Sequence, residues 1–182
     1  MYMKRILLIM TALLLVLAMP SLSLAEKTPI IIDDAGLLNN EDKGKLYANM
    51  LPICDYGTPI FWSTAMEHET SSEELAAIFL RGKLGEEDGV LFLIDMTRRK
   101  LVIFSSKQLY RIVTTPKANA ILDQTYRKAT NGDYLGCAMD TFTMIYELLQ
   151  NNTAETGPGS GVIGQCLRLL FGAQEEPNQN NP

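Results

Sequence analysis

Apolar positions change their spacing along this chain, and each change marks a predicted element. Pro29 to Ile32 is a short β-branched run ending on Asp33-Asp34, which predicts a strand that turns out of its sheet at the two acids. Asn39 or Asn40 then offers a helix cap, with Glu41 and Asp42 in the positive first turn and Leu46, Met50 and Ile53 at helical spacing, until Pro52 ends the helix. Tyr56-Gly57-Thr58-Pro59 is turn chemistry, and Ile60 to Met66 reads as a second strand carrying the only tryptophan, Trp62. Ser71 and Glu74 form a capping box ahead of Leu75, Ile78 and Phe79, and that helix closes with Arg81, Lys83 and Gly85.

Two strand-like runs follow, Val90 to Ile94 and Leu101 to Phe104, joined by a short polar link. They predict a hairpin at the centre of a sheet, and the first run has no alternation, so both its faces should be covered. Thr115-Pro116 places a hydroxyl and a proline at a helix start, with Ile121, Leu122 and Tyr126 continuing it. After the Asn131-Gly132-Asp133 turn, Leu135, Ala138, Phe142, Ile145 and Leu149 recur at helical spacing, the strongest periodic signal in the chain. Helices alternating with strands and a hairpin predict an α/β fold over residues 26–150, a three-layer α/β/α sandwich with a small central mixed sheet.

The ends of the chain read differently. Lys4-Arg5, the apolar stretch Ile6 to Ala18, Pro20 and Ser23-Leu24-Ala25 follow the order of a secretory signal peptide, residues 1–25, with cleavage expected near Ala25. Its apolar core of roughly 13 residues is shorter than the roughly 20 of a membrane-spanning helix. Residues 151–161 read as a flexible linker, and 162–182 as a short amphipathic segment, Val162 to Phe171, with a polar tail. Without the signal segment, 14 basic residues face 21 acidic ones, a formal charge of −7 that argues against nucleic acid and anionic membrane as partners. The expected location is the periplasm or the extracellular space. Of three cysteines, Cys54 and Cys137 lie in apolar helical contexts and read as small buried hydrophobes, while Cys166 lies in the amphipathic segment; no pair has zinc-site spacing.

Several of these stretches together resemble one family. Ile31-Ile32-Asp33-Asp34-Ala35-Gly36-Leu37-Leu38 is similar to its V-x-D-x-A-x-L-L opening, Glu87-Asp88-Gly89-Val90-Leu91-Phe92-Leu93-Ile94 to its D-N-G-V-L-L-L-I strand, and Arg99-Lys100-Leu101-Val102-Ile103 to R-K-V-R-I. Ile121-Leu122-Asp123 and Asn131-Gly132-Asp133-Tyr134-Leu135-Gly136 resemble its I-L-D and G-D-Y-x-x-G elements. The order and spacing identify the chain as a member of the TPM domain family over roughly Pro29 to Leu149. The resemblance implies an exported or membrane-tethered α/β/α domain, with calcium binding, phosphatase activity or accessory work on membrane complexes among the roles of its members. Where the family has G-x-G-L-E, this chain has Ser106-Lys107-Gln108-Leu109-Tyr110.

These residues define the candidate sites. A calcium ion would take Asp33, Asp34, Glu87 and Asp88, if loops at one sheet end brought them together. The resemblance carries over Asp33 and Glu87; Asp34, Asp88 and Asp95 are read from local context. Lys107, Gln108 and Tyr110 form a side-chain-rich candidate interaction surface. No catalytic residue is assigned: P-loop, Cys-x5-Arg and Ser-x-x-Lys patterns are missing, and His68, the only histidine, reads as a solvated loop residue between Glu67 and Glu69. The expected function is a non-catalytic binding or accessory module of the cell envelope, calcium-modulated and meeting an envelope or membrane protein. The alternative is a calcium-dependent hydrolase or weak phosphatase.

Overall fold

Strand direction organises the structure, a computed structural model that describes residues 27–156. The signal-peptide reading of 1–25 and the amphipathic reading of 162–171 lie outside the described residues. Strands β1 (Ile30–Asp33), β2 (Thr58–Thr64) and β3 (Gly89–Asp95) run parallel, and β4 (Lys100–Ser105) returns antiparallel to β3, giving a mixed sheet in the order β1-β2-β3-β4. The expected hairpin is therefore present, but it closes one side of the sheet: β3 is interior and β4 is an edge strand. Two parallel neighbours need crossovers, which helices α1 (Asn40–Met50) and α2 (Ser72–Leu84) supply. Helices α3 (Lys107–Tyr110), α4 (Thr115–Thr130) and α5 (Tyr134–Thr156) follow the hairpin.

Side-chain alternation on the strands sends apolar groups to both faces. Phe61, Val90, Phe92, Ile94 and Ile103 pack with Leu46 and Met50 of α1, Ile121 of α4, and Ala138, Phe142, Ile145 and Leu149 of α5. Ile60, Trp62, Leu91, Leu93 and Val102 pack on the opposite face with Ala76 and Leu80 of α2. Strand β3 is buried along its whole length, as its unbroken apolar run requires. Aromatic rings join the layers: Phe92 meets Phe142 edge-on with centroids 6.2 Å apart, and Trp62 stacks on Phe79 at 3.9 Å.

The helix ends follow their caps, with two differences from the sequence reading. The Asn39 carboxamide accepts from the Asp42 amide at 2.9 Å and the Ser71 hydroxyl from the Glu74 amide at 3.1 Å. Thr114, rather than Thr115, is the N-cap of α4, and its hydroxyl makes no capping bond. Asp133 accepts from the Gly136 amide at 2.8 Å and starts α5, which runs on to Thr156, six residues into the stretch read as linker. Asn152 donates its side-chain amide to the Leu148 carbonyl at 2.8 Å, so the helix accommodates the Asn-Asn pair that suggested a break.

Among the described residues no helix is long and apolar enough to cross a membrane. Replacing the fully buried Phe142 by alanine leaves a void between α5 and β3, and urea unfolding should show a loss of about 3–5 kcal/mol. The same change at Ile78, 54% exposed on α2, should stay within about 0.5 kcal/mol.

Candidate functional site

The parallel strands place the predicted site residues at two separate ends of the sheet. Asp33 closes β1 and pairs with Ser63 near the end of β2, and Asp95 closes β3 beside Thr64. Glu87 and Asp88 precede β3, whose seven residues separate them from the Asp95 end by about 20 Å. The expected four-carboxylate site is therefore not assembled. Helical crossovers return each parallel strand to the same starting end, so acids before one strand and after another cannot meet.

At the carboxyl end, Asp33 is a wrapped carboxylate, its side chain 1% exposed. It accepts from the Leu37 amide at 2.8 Å, the Leu38 amide at 3.0 Å and the Ser63 hydroxyl at 2.6 Å, and lies 3.1 Å from the Lys43 ammonium. The chain folds back over it through Gly36, whose φ of 66° suits glycine. Burial alone raises the Asp33 pKa, but the Ser63 hydroxyl, the two amides and Lys43 together bring it below its ordinary value. Asp34 accepts from the Trp62 indole N–H at 3.0 Å and so holds the ring that stacks on Phe79.

Asp95 is fully buried and binds three separate segments. One oxygen accepts from the Ser72 hydroxyl at 2.7 Å and contacts His68 Nε2 at 2.8 Å; the other accepts from the Arg98 amide at 3.0 Å. His68 is thus no solvated loop residue, its side chain being 7% exposed and its Nδ1 lying 2.9 Å from the Thr70 carbonyl. Both ring nitrogens face oxygen atoms, which fixes the ring between the Thr70 carbonyl and Asp95. Arg98 returns to the same loop, donating to the His68 carbonyl at 2.9 Å. Burial again raises the Asp95 pKa on its own, and Ser72, the Arg98 amide and His68 reverse it, so the net shift is downward. The overlooked signal was Asp95 itself: an acid ending a wholly apolar strand has to find donors, and His68, Ser72 and the turn amides are the groups within reach.

At the opposite end, the acidic turn and the candidate interaction surface come together. Asp88 accepts from the Gln108 amide at 2.9 Å, Ser106 binds Gly89 through amide and hydroxyl, and Lys107 pairs with the Glu86 carboxylate. Lys107 adopts a φ of 49°, a left-handed conformation uncommon for a non-glycine residue. Leu109 is buried against Gly57, where a Cβ would sit 2.6 Å from Leu109 Cδ1, while Gln108 and Tyr110 face solvent. The chain's own donors thus engage Glu86 and Asp88, from a stretch that forms a short helix.

The donor sets do not suit calcium, which takes six to eight oxygen ligands. Both Asp33 oxygens already accept from the chain, Asp34 gives one oxygen to Trp62, and Glu87 and Asp88 lie at the far end. Among the described residues no three His, Cys, Asp or Glu side chains converge as a metal-holding set. Cys137 is buried at the start of α5, where burial pushes its thiol pKa up, as expected of an inert core cysteine. The open space at the carboxyl end is instead a cleft of about 650 Å³ between the β3–β4 turn, α4 and the start of α5, with Arg99, Leu122, Asp123 and Tyr126 on its walls.

A sheet of three parallel strands closed by an antiparallel edge, with wrapped acids at its carboxyl end, defines an α/β domain of a recognisable class. The family model of the TPM domain matches residues 31–148, and the chain belongs to that family. Two solution NMR structures share the fold. The N-terminal domain of a Porphyromonas gingivalis protein is 16% identical with a TM-score of 0.62, covering 73% of this chain and 89% of that one. The N-terminal domain of a Corynebacterium glutamicum protein is 12% identical with a TM-score of 0.54, covering 71% and 83%. Among curated proteins none matches the sequence.

Two outcomes follow from the buried carboxylates. His68→Ala removes a donor from buried Asp95 and should cost about 1–3 kcal/mol in urea unfolding, where a solvated loop histidine would stay within about 0.5 kcal/mol. Asp33 and Asp95 have folded pKa values below their unfolded ones, so they add stability above the ordinary carboxylate value of about 3.9 and lose it as pH falls through the folded values. The urea midpoint should therefore fall steeply below about pH 4, and less steeply in Asp95→Asn.

Proposed function

We propose that this TPM domain is an exported binding or accessory module of the cell envelope that carries out no chemistry of its own. The observation that supports this reading is the state of its carboxylates. Asp33 and Asp95, the two acids buried at the carboxyl ends of the strands, accept from backbone amides, hydroxyls, Lys43 and His68, so neither is held ready for a substrate or a metal-bound water. In the same reading, the helices on the two faces are the outer layers of an α/β/α sandwich, the chain ahead of Glu26 is a signal peptide, and the partner is an envelope or membrane protein. The proposed contact surface is α3, where Gln108 and Tyr110 stand exposed on a helix that Leu109, Lys107 and Ser106 fix in place. Rigid exposed groups lose little entropy on binding, which suits a recognition surface.

The test is chemical crosslinking in cells that express the full chain, followed by mass analysis of the exported protein. The processed protein should begin at Glu26, and a Gln108→Ala/Tyr110→Ala variant should lose its crosslinked envelope partner while its circular dichroism stays unchanged. Retention of the same partner would remove α3 from the contact. Turnover of a generic phosphate ester above the blank, abolished in Asp33→Asn, would overturn the non-catalytic reading in favour of the hydrolase.

A further inference from the structure

Two charged side chains on the cleft walls have no partner among the described residues. Arg98, one residue before, is engaged by the His68 loop, and Lys100, one residue after, pairs with Glu73 at 2.6 Å. Arg99 between them lines the cleft and has no hydrogen bond or ion pair among the described residues. Its φ of 51° places it in the left-handed region, a strained setting for a side-chain-bearing residue. Asp123, on α4, lines the same cleft and likewise has no partner among the described residues. Near the sheet ends the chain closes the pairs Lys43–Asp33, His68–Asp95, Lys100–Glu73 and Lys107–Glu86, whereas Arg99 and Asp123 stand apart around one cavity.

Between the two charges the walls are apolar and aromatic. Leu101 and Leu122 line the cleft, with Tyr134 at its α5 side and Tyr126, 46% exposed, beside them. Arg99 comes from the hairpin turn, Asp123 and Tyr126 from α4 and Tyr134 from α5, so segments distant in the sequence converge on one surface. A cavity of about 650 Å³ falls in the range of roughly 300–1,000 Å³ that holds organic ligands and is far larger than an ion needs.

We propose that this cleft binds a small zwitterion with an apolar body, of the size of a dipeptide. The ligand carboxylate meets the Arg99 guanidinium, its ammonium meets Asp123, and its side chains lie on Leu101, Leu122 and the two tyrosines. The inference rests on the non-catalytic reading above, because the ligand is bound and released unchanged. The site is separate from α3; Asp95 also lines the cleft, but its carboxylate is already taken by Ser72, His68 and the Arg98 amide.

Calorimetric titration of the purified protein with leucyl-phenylalanine tests this directly. Saturable one-to-one binding is expected, weakened about tenfold or more by Arg99→Gln, by Asp123→Asn, and by N-acetylation or C-terminal amidation of the peptide. Unchanged circular dichroism in both variants ties that loss to the cleft. No saturable heat at 10 mM peptide, a concentration of roughly the weakest binding worth calling specific, would overturn the ligand class and leave the non-catalytic reading intact. Binding that survives both variants would also overturn it. Binding accompanied by release of free leucine would uphold the ligand class and overturn the non-catalytic reading.

Discussion

The buried carboxylate of Asp95 is the contact on which the carboxyl end of this fold depends. It closes a strand buried along its whole length, and a charge taken out of water there is tolerated only if donors surround it. Ser72 brings the start of α2, His68 brings the loop after β2, and the Arg98 amide brings the hairpin turn. One acid therefore fixes where the chain leaves β2 for α2 and how β3 turns into β4. Asp33 does the same for β1 and the segment leading to α1, through two amides, a hydroxyl and Lys43. The acids of this end act as fasteners of backbone, and their lowered pKa values record the donors gathered around them.

That division of labour bears on what the domain does. The two ends of the sheet are each closed by the chain's own groups: at one end Asp33 and Asp95 bind loops, at the other Asp88, Lys107 and Ser106 bind α3 against the acidic turn. What remains open among the described residues is a cleft whose Arg99 and Asp123 have no partner there, and an exposed pair of side chains on α3. Both are features that recognition uses, and a cleft can serve bond making as well. Membership of the TPM domain family is consistent with either use, and the distant structural relatives at 16% and 12% identity speak to the fold alone.

Much of the fold was legible in the sequence because local rules and tertiary packing agree. The unbroken apolar run Val90 to Ile94 announces a strand covered on both sides, Ser71 and Glu74 a helix start, and the Ala138, Phe142, Ile145 and Leu149 spacing a core helix, and each is found so. The candidate site was legible only in part. Asp33 and Glu87 stand out along the chain, but whether acids meet depends on strand direction, and the parallel arrangement that parts them is set by crossovers rather than by the residues themselves. His68 looked solvated because its neighbours in sequence are charged; its partner, Asp95, lies 27 residues away. The end of α5 was missed because Asn-Asn weakens a helix without stopping one already packed by Leu149.

The claim that the acids at the strand ends are structural fasteners is tested most directly by carbon NMR of the aspartate and glutamate carboxyl groups during a calcium titration. The account predicts that the Asp33 and Asp95 signals stay in place up to millimolar calcium. It also predicts that on acidification both titrate below the ordinary carboxylate value. Saturable, coordinated movement of Asp33 with Asp34, Glu87 or Asp88 on adding calcium would contradict it.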